Sequence, residues 1–127
     1  MSFTNFLETE ILDHVFGGNA YSAPATLYVA LFTAVTDAEA GTVTEVSGGG
    51  YARQSAAFTV TGNTASNSAS VEYPTATASY GTVTHVGIYD ASTGGNLMCT
   101  ASLTASKAID TGDVFRIPTG DLDITLD

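Results

Sequence analysis

Apolar and polar residues alternate along most of the chain after residue 26, and this pattern predicts short β-strands. The first strong strand covers about residues 26–33, from Leu27 to Phe32, with apolar side chains on both faces. A strand of this kind must be covered on both sides. We therefore expect a sheet on one side of it and a helix on the other.

Further strands are expected up to about residue 126, separated by turns rich in glycine, asparagine and proline. Gly62-Asn63, Asp90–Asn96 and Pro118–Gly120 are the predicted turns. The strands between and after them cover about residues 51–60, 69–73, 82–89, 97–103, 114–117 and 121–127. In the last strand the apolar residues are Leu122, Ile124 and Leu126, and the outward residues are Asp121, Asp123, Thr125 and Asp127. Residues 34–50 are predicted to be a long loop, which is typical of functional or mobile segments.

An amphipathic helix is predicted over about residues 3–16, because large apolar residues recur there every four positions. Its stripe contains Phe3, Leu7, Ile11 and Val15. Ser2 is a suitable N-cap, and Gly17-Gly18 would end the helix. This stripe either covers one end of the molecule or packs on a neighbouring subunit.

Length and composition indicate one folded domain spanning residues 1–127. Apolar residues make up 44% of the chain and charged residues 13%, which is not the composition of a disordered segment. Together with the strand pattern, this predicts an all-β, single-domain antiparallel β-sandwich or jelly roll with an N-terminal amphipathic helix.

The chain is strongly acidic, with a formal net charge of -10 and three cations, Arg53, Lys107 and Arg116. A nucleic-acid partner is not expected, because binding phosphates requires many basic groups. An anionic membrane surface is disfavoured for the same reason. The sequence contains no secretory signal and no apolar stretch of membrane-spanning length, so we expect synthesis in a cytoplasm.

Residues suited to catalysis or metal binding are few and scattered. His14, His85 and Cys99 do not form a nucleophile–base set or a zinc-ligand spacing. Aspartates in the turns match no calcium-binding loop. We therefore expect no enzyme activity, no metal site and no cofactor.

Several sequence blocks together resemble a family of small tailed-bacteriophage virion proteins, which includes tail-fibre-like proteins and capsid decoration (cement) proteins. The blocks are residues 27–33 (LYVALFT), 44–53 (TEVSGGGYAR), 84–91 (THVGIYDA), 95–97 (GNL), 112–113 (GD) and 117–122 (IPTGDL). The resemblance implies a structural component of the virion.

Small size, acidity and the lack of a fibre shaft favour a capsid decoration protein that binds adjacent major capsid protein subunits on the outer shell. The alternative is a tail or tail-fibre component, with binding to the host surface as an additional role. Other virion proteins are possible partners, and a homo-oligomer is expected, with a trimer favoured. The residues predicted to contact other subunits are Phe3, Leu7, Ile11, Val15, Glu45 and Arg53. Arg53 would pair with a carboxylate, either in a neighbouring subunit or within the chain.

Overall fold

The computed structural model describes residues 1–126, which form one helix and eleven strands. In chain order these are β1 (Ser2–Phe3), α1 (Asn5–Val15), β2 (Leu27–Asp37), β3 (Thr42–Glu45), β4 (Gln54–Ala56), β5 (Phe58–Thr61), β6 (Thr64–Asn67), β7 (Val71–Glu72), β8 (Gly81–Tyr89), β9 (Leu97–Ile109), β10 (Arg116–Ile117) and β11 (Asp123–Thr125).

The largest sheet contains six strands and is built around three long antiparallel ones. Its order is β1-β9-β8-β2-β3, and β4 also pairs with β2. Leu31 of β2 lies opposite Val86 of β8, and Ile88 of β8 lies opposite Cys99 of β9. The turn predicted over residues 90–96 connects β8 to β9, as expected.

Two smaller sheets, β11-β6-β5 and β10-β7, form the second layer. Leu31 and Ile88 of the large sheet share one buried cluster with Val71, Ile117 and Leu122 from the other layer. The predicted all-β antiparallel sandwich with a short N-terminal helix is therefore confirmed. The layers are unequal, with six strands on one side and five on the other.

The opposite face of β2 is not covered by the helix, so that expectation was wrong. Ala30 and Phe32 are fully buried against Tyr89 and Leu97 of the same large sheet. Phe32 fits there because it lies against Gly87, where a Cβ atom would overlap the Phe32 ring and come within 2.9 Å of the Leu97 side chain. The helix α1 instead contacts β9 and β1.

The predicted start of the helix was also wrong, because Ser2 and Phe3 form β1 and pair with β9. Thr4 is the actual N-cap and accepts a 3.4 Å hydrogen bond from the backbone N–H of Leu7. Its hydroxyl also donates to the carbonyl of Leu97, at 2.6 Å. Since Thr4 is held on β9, the helix begins at Asn5 and Phe3 lies outside the helical stripe.

The long loop predicted over residues 34–50 is partly a hairpin, because β2 continues to Asp37 and β3 follows at Thr42. The turn between them uses Gly41, whose φ of 74° favours glycine. The strand predicted over 51–60 is split into β4 and β5, and β6 was not predicted. Gly62-Asn63 forms the expected turn between β5 and β6. Asp127 lies outside the described residues.

Candidate functional site

Glu45 and Arg53 form a bidentate ion pair within the chain. Glu45 ends β3 and Arg53 immediately precedes β4, and both strands pair with the same central strand, β2. The Nε atom of Arg53 lies 2.9 Å from Oε2 of Glu45, and Nη2 lies 2.8 Å from Oε1. Only 8% of the Arg53 side chain and 25% of the Glu45 side chain are exposed, so the pair is shielded from screening by salt.

Arg53 also holds the turn between β8 and β9. Its Nη1 atom donates to the carbonyls of Ala91, at 3.0 Å, and Gly94, at 2.8 Å. The guanidinium carbon lies 3.5 Å from the centre of the Tyr89 ring, in a cation–π contact. Four of the five N–H groups of Arg53 are therefore used inside the chain.

Tyr51 connects this ion pair to the core. Its hydroxyl donates to Oε2 of Glu45 at 2.7 Å and accepts from the backbone N–H of Leu31 at 3.1 Å. Its ring stacks on Tyr73 with a 6.0 Å centroid distance, and Tyr80 meets it edge-on at 5.8 Å. We call Glu45, Tyr51, Arg53 and Tyr89 the Arg53 cluster.

The electrostatics of the Arg53 cluster favour the charged pair. Burial alone would raise the pKa of Glu45, but the hydrogen bonds from Arg53 and Tyr51 and the charge of Arg53 outweigh it and lower that pKa. The pKa of Arg53 is raised, chiefly by its hydrogen bonds to Glu45. Burial, and then the hydrogen bond to Glu45, raise the pKa of Tyr51. The Glu45 carboxylate and the Tyr51 phenol are therefore ionised and neutral, respectively, at neutral pH.

The helical residues predicted to contact another subunit have different surroundings. Leu7 is half-buried and packs on the core, as does Phe3 in β1. Ile11 is half-exposed, and Val15 is 61% exposed at the end of the helix. Glu45 and Arg53 are paired with each other inside the chain. Val15 is the most exposed of the six residues predicted to contact another subunit. Contact of these six residues with another subunit stays a prediction.

Some participants in these sites were not singled out from the sequence. Tyr51 is two residues before Arg53, a spacing that could have suggested a common strand face. The contact of Arg53 with Tyr89 has no such signal, because β8 is distant in the sequence.

Groups suited to chemistry lie apart from one another. Nδ1 of His85 is hydrogen-bonded to the neighbouring Thr84 hydroxyl at 2.8 Å. Cys99 is buried, and this burial raises its pKa to about 12. Within residues 1–126, no three His, Cys, Asp or Glu side chains are grouped so that they could hold a metal ion. The single helix in this part of the chain is too short to cross a membrane.

The sequence matches a family described as podophage GP4 fiber I protein gp80, over residues 2–125. The chain belongs to this family. The match includes both layers of the sandwich, the helix and the Arg53 cluster. Membership confirms the resemblance to small tailed-phage virion proteins and makes the chain a structural protein of the phage virion. A comparison with curated proteins found no match.

Proposed function

We propose that this chain is a structural subunit of a phage tail fibre and works there as a homo-oligomer, with a trimer favoured. The observation that carries the proposal is the match to a fibre-protein family over residues 2–125. The sequence alone favoured capsid decoration, and the family's description moves the preference to the fibre.

The arrangement of the chain suits a role as a rigid building block. The Arg53 cluster fastens the turn between β8 and β9 to β3 and β4, and Tyr51 fastens it to the core. The end of the helix remains exposed and apolar. A rigid domain with an exposed apolar surface can be repeated in an assembly, where several modest contacts give strong attachment.

Capsid decoration is the second candidate. The residues that the structure describes form one small sandwich with an 11-residue helix and no coiled-coil shaft. In this case the chain would bind adjacent major capsid protein subunits on the outer shell. Host-surface binding would be an additional role only under the fibre hypothesis.

The copy number of the protein in purified virions tests these alternatives. Quantitative mass spectrometry would compare its amount with the major capsid protein and with a known tail protein of the same particle. A fibre subunit should be present in numbers similar to the tail protein. Hundreds of copies, on the scale of the capsid protein, would contradict the fibre proposal and support decoration.

A further inference from the structure

The last part of the helix presents an apolar surface that nothing in residues 1–126 covers. Leu12, Val15 and Phe16 are 58%, 61% and 82% exposed. Their spacing of three and four residues places them on one helix face. Glu8 lies one turn before Leu12, and Asp13 is adjacent in sequence. We call Leu12, Val15 and Phe16 the helix-end patch.

A groove elsewhere on the molecule has the complementary character. It has a volume of about 480 Å³ and is lined by the half-buried Leu103, by the outer edges of the buried Phe115 and Ile117, and by the cations Lys107 and Arg116. Lys107 and Arg116 also line a neighbouring depression of about 520 Å³. We call the surface formed by these five residues the cation groove.

The cation groove contains Lys107 and Arg116, two side-chain cations that form no salt bridge within residues 1–126; Arg116 lies opposite Glu72 in the pairing of β10 with β7. The chain has only three lysines and arginines, and Arg53 is used internally. Within residues 1–126, neither Lys107 nor Arg116 has a carboxylate within 4.0 Å, since the pair of Arg53 with Glu45 is the one salt bridge there. Asp113 and Asp121 also line these depressions, and the carboxylate of Asp113 accepts a hydrogen bond from the backbone N–H of Asp110.

The charges select how two copies can meet. Two helix-end patches placed together would bring Glu8 and Asp13, which flank the patch, towards the same residues of the other copy. Like charges in an interface are unfavourable and disfavour that arrangement. Placing the patch of one copy in the groove of the next instead brings carboxylates to Lys107 and Arg116.

We propose that the helix-end patch of one copy docks in the cation groove of the next copy. This inference rests on the homo-oligomer in the proposed function and names the surfaces that form it. A contact between two different surfaces is repeated around the assembly, and it closes into a ring when the rotation between copies allows.

Phe16 anchors this contact, because a large aromatic side chain in a desolvated pocket contributes most to binding. The three patch side chains are fewer than the roughly 20–30 residues a side of a standard interface. A single contact is therefore weak, and ring closure strengthens the assembly because every subunit then makes two contacts.

The test is sedimentation velocity of the full chain from micromolar to millimolar concentration, with circular dichroism to confirm folding. We expect Phe16→Ser to weaken association by about tenfold or more. The matched control is Val60→Ser, since Val60 is 71% exposed on a different element, β5. This control should associate as the wild type does.

Charge reversal tests the pairing of the two surfaces. Glu8→Lys with Asp13→Lys should dissociate the assembly, as should Lys107→Glu with Arg116→Glu, and all four changes together should restore it. An assembly that none of these variants weakens would overturn the proposed contact and leave the homo-oligomer intact. A wild type that is monomeric throughout would overturn both. A fourfold variant that stays dissociated would overturn the pairing of the patch with the groove.

Discussion

Replacing Arg53 by alanine should strongly destabilise the fold. The variant removes two hydrogen bonds to Glu45, two to the turn carbonyls of Ala91 and Gly94, and the contact with Tyr89. It also leaves the three-quarters-buried Glu45 carboxylate without its cation. Removing one partner of a buried ion pair costs about 3–5 kcal/mol. Because Glu45 retains some solvent contact and the Tyr51 hydrogen bond, we expect about 3 kcal/mol, the lower end of that range.

Urea unfolding followed by circular dichroism measures this loss as a change in the free energy of unfolding at constant m-value. Glu72→Ala is the control, because Glu72 is an exposed charged residue of β7 that forms no ion pair with the other described residues. It should change stability by no more than about 0.5 kcal/mol.

A double-mutant cycle separates the ion pair from the other contacts of Arg53. Arg53→Ala and Glu45→Ala should be non-additive by about 1 kcal/mol or more, because the two side chains interact directly. If Arg53→Ala costs no more than Glu72→Ala, the Arg53 cluster does not stabilise the fold.

Three further measurements test other parts of the structure. Because the pKa of Glu45 is lowered in the folded state, the stability that the Glu45 carboxylate provides is complete above its ordinary pKa of 4.5 and is lost as the pH falls through the folded-state pKa. In urea titrations, the stability difference between wild type and Glu45→Gln should therefore shrink on acidification. A difference that stays constant with pH would contradict this. Gly87→Ala should cost about 1–3 kcal/mol in the same assay, because the added Cβ atom would overlap the Phe32 ring and lie 2.9 Å from the Leu97 side chain. Gly94→Ala, at a positive φ with no atom within 4 Å of the added Cβ, separates backbone strain from a steric clash. Equal urea stability of wild type and Gly87→Ala would refute the packing argument. The Cys99 thiol, with its pKa raised to about 12, should react slowly with a thiol reagent in the native protein and rapidly in denaturant, and rapid native reaction would show that the site opens.

The layers of the sandwich were predictable because burial imposes a simple pattern on strands. Alternation in residues 82–89 and 97–103 located the central hairpin, and the turn over residues 90–96 was correct. Short polar strands were less predictable. In β6, small and polar residues follow one another, and pairing with β5 and β11 determines the strand rather than an apolar alternation.

The helix boundary shows how a tertiary contact can override a local pattern. Phe3 fits the four-residue spacing, yet pairing of Ser2 and Phe3 with β9 makes this segment extended. Thr4 then becomes the N-cap because its side chain contacts both the helix and β9. The sequence contains no local signal for that distant partner.

The Arg53 cluster was partly predictable. The sequence drew attention to Glu45 and Arg53 and left open whether their pairing lies within or between chains. The close approach of β3 and β4 along β2 decides in favour of a pair within the chain. The contacts of Arg53 with Tyr89 and the turn carbonyls depend on the position of β8 in the sheet, which sequence spacing does not reveal.

The central claim is that this protein forms part of the tail fibre, and its position on the particle is the most direct test. Cryo-electron microscopy of virions carrying an antibody fragment against this chain would locate it. The antibody fragments should project from fibres at the tail vertex. Virions lacking the protein should lose the fibre density that carries the antibody fragments in the wild type. Labels distributed over the capsid faces, with unchanged fibres in the deletion, would contradict the account.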